Sequence, residues 1–281
     1  MKYLLYNPLA NNKQCKQKVD EFAKTAGECE FKDVTKLDAK AFVESMNAED
    51  EAYLFGGDGT VNHFANDTYG ADIKANVYYV PSGTGNDFFN DVKNEQAEKD
   101  GYILLNPFLK NLPTVYVNDI EKHFVNGIGY GLDGMCCQVA DDQMAKGKTK
   151  INYTSIAVSL LLFKYKPKNA KVVVDGEEKT YDKVWILPTM KGRFYGGGMM
   201  VAPAQDRLDF GGKVTVVVFR GKPRIKVLMN FTKIFTGEHV KLKGMIDIRS
   251  GKDVYVEYDE PTALQIDGET VRNVKSYRVK A

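Results

Sequence analysis

Cysteine and histidine are scarce in this chain and badly spaced for metal binding. The four cysteines, Cys15, Cys29, Cys136 and Cys137, form no Cys-x-x-Cys pair, and adjacent cysteines make a poor disulfide. They read as reduced thiols in a cytoplasm. His63, His123 and His239 are scattered, which excludes the usual zinc-ligand spacing. Long apolar runs are missing too. The greasiest stretch, Ile156 to Phe163, falls well short of the roughly 20 residues that span a bilayer. The opening Met1 to Pro8 carries too short an apolar run for a signal peptide and reads as a first strand. No charge of one sign dominates: 39 basic and 37 acidic side chains leave a formal charge of +2. Nucleic-acid binders are more often strongly basic, so no nucleic-acid partner is indicated. Internal repeats and low-complexity segments are also absent.

What remains is the composition of an ordinary globular protein, 43% apolar over 281 residues, enough for one large or two ordinary domains. The first part alternates strand and helix: a strand Tyr3 to Tyr6, a lysine-rich helix from about Lys13 to Ala26, and a short strand near Glu28 to Phe31. A helix from Ala39 to Met46 and a strand at Tyr53 follow. Alternation of this kind predicts a parallel sheet with helices on both faces. After Asn111-Leu112-Pro113 short β-rich runs dominate. They are Thr114 to Val117, His123 to Asn126, Lys171 to Val174, Lys183 to Leu187, Val214 to Phe219, Val254 to Tyr258 and Ala263 to Ile266. Turn signals such as Asp175-Gly176 and Asp267-Gly268 punctuate them, and two helical stretches interrupt, Ile151 to Tyr165 and Pro223 to Thr236. The chain therefore divides into an α/β domain over residues 1–118 and a β-rich domain of two packed sheets over 119–281. The last strand is free to return to the first domain.

Two glycine-rich loops carry the chemistry. Gly56-Gly57-Asp58-Gly59-Thr60 follows the apolar run Ala52 to Phe55, and Pro81-Ser82-Gly83-Thr84-Gly85-Asn86-Asp87 follows Val77 to Val80. Each reads as a buried strand ending in a tight loop that opens a helix. Glycine lets a ligand approach the backbone closely, and clustered N–H groups at a helix start favour phosphate. One such loop alone reads as a strand-to-helix turn with Thr60 as N-cap; two of them, each with an acid, point to a nucleotide triphosphate. Neither loop has the Gly-x-x-x-x-Gly-Lys-Ser/Thr pattern of the ordinary P-loop, and the first strand turn lacks Gly-x-Gly-x-x-Gly.

The pair of loops resembles the catalytic domain of diacylglycerol kinases and their bacterial relatives, a group that includes sphingosine and ceramide kinases. The resemblance continues in chain order through Asn7-Pro8, Asn126-Gly127-Ile128-Gly129-Tyr130-Gly131-Leu132-Asp133, Tyr195-Gly196-Gly197-Gly198-Met199 with Ala202-Pro203-Ala204, and Asp267-Gly268-Glu269. It implies an NAD-kinase-like and diacylglycerol-kinase-like architecture with ATP held between the domains by Asn7, Gly56 to Thr60, Ser82, Gly83 and Thr84. It further implies that Asp58, Asp87 and Asp133 form an acidic, water-linked cluster associated with magnesium, and that Asp267 is the general base with Glu269 beside it. Asp206 and the Leu208 carbonyl correspond to a separate structural magnesium site. Two departures stand out. Leu9-Ala10-Asn11-Asn12 replaces a small residue and glycine after Asn7-Pro8, and Gln205-Asp206-Arg207-Leu208-Asp209 is shorter than the usual Asp-Asp-Gly-Leu-Leu-Asp form.

Phosphoryl transfer needs an in-line hydroxyl, a metal to neutralise the phosphates and an acceptor for the hydroxyl proton. Asp267-Gly268-Glu269 reads either as two carboxylates on one face of an extended segment or as a turn with solvated acids, and only the resemblance favours the first. The helix from Pro223, with Arg224, Lys226 and Lys233 beside Ile225, Val227, Leu228, Phe231, Ile234 and Phe235, either meets an anionic membrane surface or covers a sheet. The expectation is an ATP- and magnesium-dependent lipid kinase, converting diacylglycerol to phosphatidic acid while peripheral at the inner, cytoplasmic membrane surface. Rival readings are a kinase of a soluble hydroxylated metabolite such as NAD, and a nucleotide-sensing regulatory protein. Diacylglycerol, phosphatidylglycerol, a sphingoid base and a polyprenol all offer the hydroxyl, and a homodimer is neither required nor excluded.

Overall fold

The computed structural model describes residues 1–8, 14–208 and 211–281. The chain forms two compact units, Met1–Leu112 and Pro113–Ala281. The boundary falls before the expected residue 118 because the strand Thr114–Val117 hydrogen-bonds into the second unit's sheet.

The first unit runs β1 (Lys2–Tyr6), α1 (Gln14–Ala26), β2 (Cys29–Asp33), α2 (Ala39–Ser45), β3 (Glu51–Gly56), α3 (Asp58–Asp67), β4 (Asn76–Pro81), α4 (Asp87–Val92), α5 (Glu95–Asp100) and β5 (Ile103–Leu104). Its sheet has the order β2-β1-β3-β4-β5, with the first four strands parallel and β5 antiparallel to β4. Ala52 to Phe55 in β3 are all buried, as expected of a central strand covered on both faces. Leu4, Val19, Tyr53, Phe55 and Val80 form a core on one face, where Phe22 of α1 lies 4.8 Å from the Tyr53 ring. Helix α2 starts where Asp38 accepts from the Ala41 N–H at 3.0 Å, an ordinary N-cap. The winding reverses between β1 and β3, and ligands bind beyond the carboxyl ends of the strands at such a point. Asn7 follows β1 and the first glycine loop follows β3, so both flank that crevice.

The second unit continues with β6 (Thr114–Val117), β7 (Ile120–His123), β8 (Gly127–Tyr130), α6 (Leu132–Ala145), α7 (Tyr153–Ser159), β9 (Lys168–Val174), β10 (Glu177–Ile186), β11 (Thr189–Met190), β12 (Phe194–Tyr195), β13 (Met199–Met200), β14 (Val214–Arg220), α8 (Arg224–Phe231), β15 (Ile246–Gly251), β16 (Asp253–Ile266) and β17 (Glu269–Lys280). β16 pairs β9 through Val254 to Tyr258 and β8 through Leu264 to Ile266. Its register against β17 shifts between Glu257 and Thr262, at Pro261, which has no N–H for the ladder. Through this bend the strands β16-β8-β11-β14-β10-β9 return to β16. The ring encloses Tyr130, Val172, Val218, Val256, Tyr258 and Leu264, with Tyr130 and Tyr258 stacked at 4.1 Å. A second core, around Trp185, Ile186 and Phe219, is covered by α6, α7 and α8. The last strand, β17, pairs β16 and β6 and stays within the second unit.

Candidate functional site

In the first unit the two glycine loops touch. A Cβ on Gly83 would lie 2.6 Å from Gly57 Cα, and one on Gly56 would lie 2.2 Å from Thr60 Oγ1, so only hydrogen fits at either place. The Ser82 N–H donates to the Gly56 carbonyl at 2.7 Å, extending the β3–β4 ladder into the loops. Ser82 itself is buried, whereas Gly59 and Thr84 are exposed. Helix α3 begins after Gly57, which caps it without any side-chain hydrogen bond; Thr60 lies inside the helix and is not the N-cap. The uncapped start of α3 leaves its dipole to act on an anion.

Asp58 crosses from one loop to the other. Its Oδ2 accepts from the Asp87 N–H at 3.0 Å and its Oδ1 from the Phe88 N–H at 2.8 Å, so it caps α4. Asn86, at φ 50, braces the same loop: its Oδ1 accepts from the Gly83 N–H at 3.1 Å and its amide donates to the Gly83 carbonyl at 2.9 Å. Asp87 is buried. Burial, and then the charges of Asp58 and Asp87, push the Tyr79 hydroxyl far up, and it donates to the Gly56 carbonyl at 3.1 Å. Asn7 is half-buried at the end of β1. The departure at Leu9 to Asn12 and the expected helix start at Lys13 lie outside the described residues.

In the second unit Asp133 opens α6, directly after the glycine-rich strand β8. Its Oδ2 accepts from the Tyr195 hydroxyl at 2.6 Å and its Oδ1 from the Gly134 N–H at 3.0 Å. A Cβ on Gly129 would lie 2.1 Å from Asp133 Oδ2, so the glycine makes room for the carboxyl. The residue keeps some exposed surface, but its carboxyl lies deep. Loss of water there pushes it up to about 6, against the opposing hydrogen bonds from Tyr195 and Gly134. Tyr195 is raised in turn by burial and by the Asp133 charge. Among the described residues no three His, Cys, Asp or Glu side chains converge to hold a metal directly.

Asp267 and Gly268 form the two-residue turn between β16 and β17, with φ 45 and 95 and Ile266 opposite Glu269. The extended segment with paired carboxylates is therefore corrected: left-handed backbone at both turn residues sends the two side chains to different partners. The Asp267 carboxylate accepts from three consecutive main-chain N–H groups. Oδ2 takes Val125 at 2.5 Å, and Oδ1 takes Asn126 and Gly127 at 2.8 Å each. Glu269 is exposed and pairs with Lys122 at 2.6 Å.

The turn Asp206–Leu208 is also unlike the expected metal site. Asp206 Oδ1 accepts from the Leu208 N–H at 2.9 Å, both residues are exposed, and Asp209 lies outside the described residues. Between them Arg207 is buried, its guanidinium donating to the Val125 carbonyl and to Asn126 Oδ1. Tyr195, Asn126 and Arg207 were missed as site residues. Tyr195 and Asn126 stand inside the motifs already singled out, and Arg207 is the one cation in the shortened loop.

On α8, Arg224 turns inward, donating to the Leu161 carbonyl at 2.7 Å with its guanidinium 5.1 Å from the Trp185 ring, which for this residue favours the covering role over headgroup contact. Lys226 stays exposed. Phe163, Met229 and Ile225 keep 78%, 70% and 56% of their surface in solvent. No helix among the described residues is long and apolar enough to cross a membrane.

Comparison with known proteins matches residues 2–110 to the family model of the diacylglycerol kinase catalytic domain, and residues 126–278 to the YegS C-terminal NAD kinase beta sandwich-like domain. A diacylglycerol kinase of Mycobacterium tuberculosis (strain H37Rv) is 29% identical over 215 residues, 74% of this chain and 67% of that one. A protein of Staphylococcus aureus (strain JH9), provisionally named a lipid kinase, is 24% identical over 234 residues, covering 78% and 70% of the two chains. A crystal structure of a candidate diacylglycerol kinase from Bacillus anthracis str. Sterne superposes with a TM-score of 0.69 at 20% identity, over 99% of this chain and 91% of that one. That last likeness is one of fold.

Proposed function

Because the chain belongs to the diacylglycerol kinase catalytic-domain family, its second unit being of the YegS C-terminal type, we propose that it transfers the γ-phosphoryl group of ATP, with magnesium, to the hydroxyl of diacylglycerol. The observation that carries this reading is the contact of two glycine loops beside the β1–β3 crevice, locked together by Asp58. Close backbone approach and an uncapped α3 suit a triphosphate.

In the proposed reaction the lipid hydroxyl oxygen bonds to the γ-phosphorus, the bond from phosphorus to the ADP oxygen breaks, and the hydroxyl proton passes to Asp267. The products are ADP and phosphatidic acid. Three N–H donors complement the negative charge of Asp267 and fix where it points. Magnesium, when bound, would neutralise the phosphate charge. Asp58 and Asp87 suit a water-linked association with it: both Asp58 oxygens already hold main-chain N–H groups, yet a carboxylate oxygen can accept more than one hydrogen bond. For Asp133, in the second unit, a water-linked association with magnesium is likewise proposed.

The membrane face is proposed to be the exposed side of α8 and of the segment that follows α7, where Phe163, Ile225 and Met229 stand out beside Lys164, Lys166, Lys222 and Lys226. No acid occurs from Gln143 to Val174 or from Gly211 to Gly237, which favours an anionic lipid surface. The test is phosphorylation of defined lipids in vesicles with labelled ATP. Labelled phosphatidic acid is the expected product. Labelling of a different lipid would change the acceptor, and labelling only of NAD or another soluble alcohol would overturn the reading.

A further inference from the structure

We infer that Arg207 is the fixed internal cation of the Asp267 clamp, a positioning residue standing where the family resemblance implies a structural magnesium. The role assigned to Asp267 rests on the proposed function; the replacement of the metal does not.

Among the described residues, those of this turn do not fit a metal. Asp206 already accepts the Leu208 N–H, both residues lie in solvent, and among the described residues no trio of ligating side chains assembles. The side chain that runs inward from the turn is cationic. A divalent ion lodged beside a buried guanidinium would meet like-charge repulsion in a low-dielectric setting.

What Arg207 does there follows from one peptide bond. The Val125 carbonyl faces the guanidinium, while the N–H of the same peptide, that of Asn126, faces Asp267 Oδ1 at 2.8 Å. A trans peptide presents these two groups to opposite sides, so its dipole lies between a positive and a negative side chain. Arg207 also reaches Asn126 Oδ1, two acceptors engaged by one planar fork. The remaining main-chain groups are closed as well. The Asn126 carbonyl accepts from the Lys191 and Gly192 N–H groups at 2.9 and 3.0 Å, and the Gly127 carbonyl accepts from the Asp267 N–H at 3.0 Å. Asp267 thus holds the donors of this segment and Arg207 holds an acceptor at its head. Without Arg207 the Val125 carbonyl loses its charged donor, and the donors that aim the Asp267 carboxylate lose their anchor.

The experiment uses the full chain. Exhaustive chelation followed by elemental analysis should find no stoichiometric metal, and the thermal midpoint without nucleotide should not move when the chelator is replaced by magnesium. A structural ion at a hundred times its Kd would raise the midpoint by roughly 5 °C or more; such a rise, or one retained metal per chain, overturns the inference. In Arg207→Met the Val125 to Gly127 amides should lose hydrogen-exchange protection, and kcat should fall by about tenfold or more with nucleotide KM nearly unchanged. Arg207→Lys, which keeps the charge without the fork, should recover part of both. A folded Arg207→Met with wild-type protection and kcat overturns it. If Arg207→Met does not fold, Arg207→Lys must still show partial loss of protection and kcat, and wild-type values there would equally overturn it. If the wild-type chain phosphorylates no lipid, the proposed function fails, while metal content and exchange protection still decide the role of Arg207.

Discussion

Asp133→Asn should make the metal-free protein more stable at pH 8 and erase a slope in stability between about pH 4 and 6. In an unstructured chain an aspartate titrates near 3.9; in the fold, burial raises Asp133 to about 6. Below the lower value both states are protonated and the residue contributes nothing to pH dependence. Between the two values the folded state holds a proton that the unfolded chain has released, so stability falls as pH rises, and above the upper value the loss is complete. Two units correspond to about 3 kcal/mol. Asparagine removes the charge and with it this cost. It also replaces one of the two oxygens that accept from Tyr195 and Gly134 with a donor, returning about 1 kcal/mol. The net expectation is a variant about 1–2 kcal/mol more stable at pH 8 and equal or slightly weaker at pH 4. Trp185 is the single tryptophan of the chain and is buried in the second unit, so its fluorescence during urea unfolding in chelator reports the relevant transition. The difference between the two proteins, measured from pH 4 to 8, isolates Asp133 from other titrating groups. A variant no more stable than wild type at pH 8, or a difference that does not change with pH, would refute the reasoning.

Asp58→Ala removes the acceptor for two N–H groups of α4, so it should cost about 1–2 kcal/mol of stability and, by loosening the loop contact, lower turnover by about 10²-fold; calorimetry and steady-state kinetics check the two effects, and turnover near wild type would clear Asp58 of the role. Asp267→Asn keeps an oxygen for Asn126 and Gly127 but presents an amide NH2, itself a donor, to the Val125 N–H, so alongside a rate loss of about 10²–10⁴-fold it should lose thermal stability while retaining ATP. Glu269→Gln breaks an exposed pair with Lys122 and should change kcat little; a larger loss than in Asp267→Asn would reverse the two assignments. Charge reversal of Lys226 and Lys233 should weaken sedimentation with anionic vesicles by about tenfold or more, and added salt should shrink the difference; unchanged binding would exclude α8 and the turn after it from membrane contact.

The first unit was legible because its signals are local. Apolar runs such as Ala52 to Phe55 end in glycine loops, and both the parallel order and the position of the loops follow. Helix α6 was not read, because Gly131 and Gly134 flank its start and its apolar stripe is interrupted by Asp141 and Asp142. The reason for those glycines is tertiary: a Cβ on Gly134 would lie 2.2 Å from the Ala263 carbonyl oxygen. The ring of strands in the second unit depends on a bend at Pro261 that pairs one strand with two neighbours, which no period-two pattern records. Within the site, glycine loops and acids could be located from sequence, but their partners could not. Arg207 and Val125 are separated by 82 residues, and Asp267 and Asn126 by 141.

Those partners divide the acids that the resemblance singles out. Asp58 commits its charge to the start of α4, and Asp267 commits its own to three N–H groups of one segment; each is complemented by main-chain dipoles already in place. Asp133 accepts from Tyr195 and from the main-chain N–H groups of Gly134 and of its own residue, yet its carboxyl lies so deep that loss of water still raises it to about 6. Structural carboxylates are placed where the fold lowers the cost of their charge, whereas a group kept in a setting hostile to that charge needs another reason to be there. Asp206 is a different case: it lies in solvent and accepts from the Leu208 N–H of its own turn.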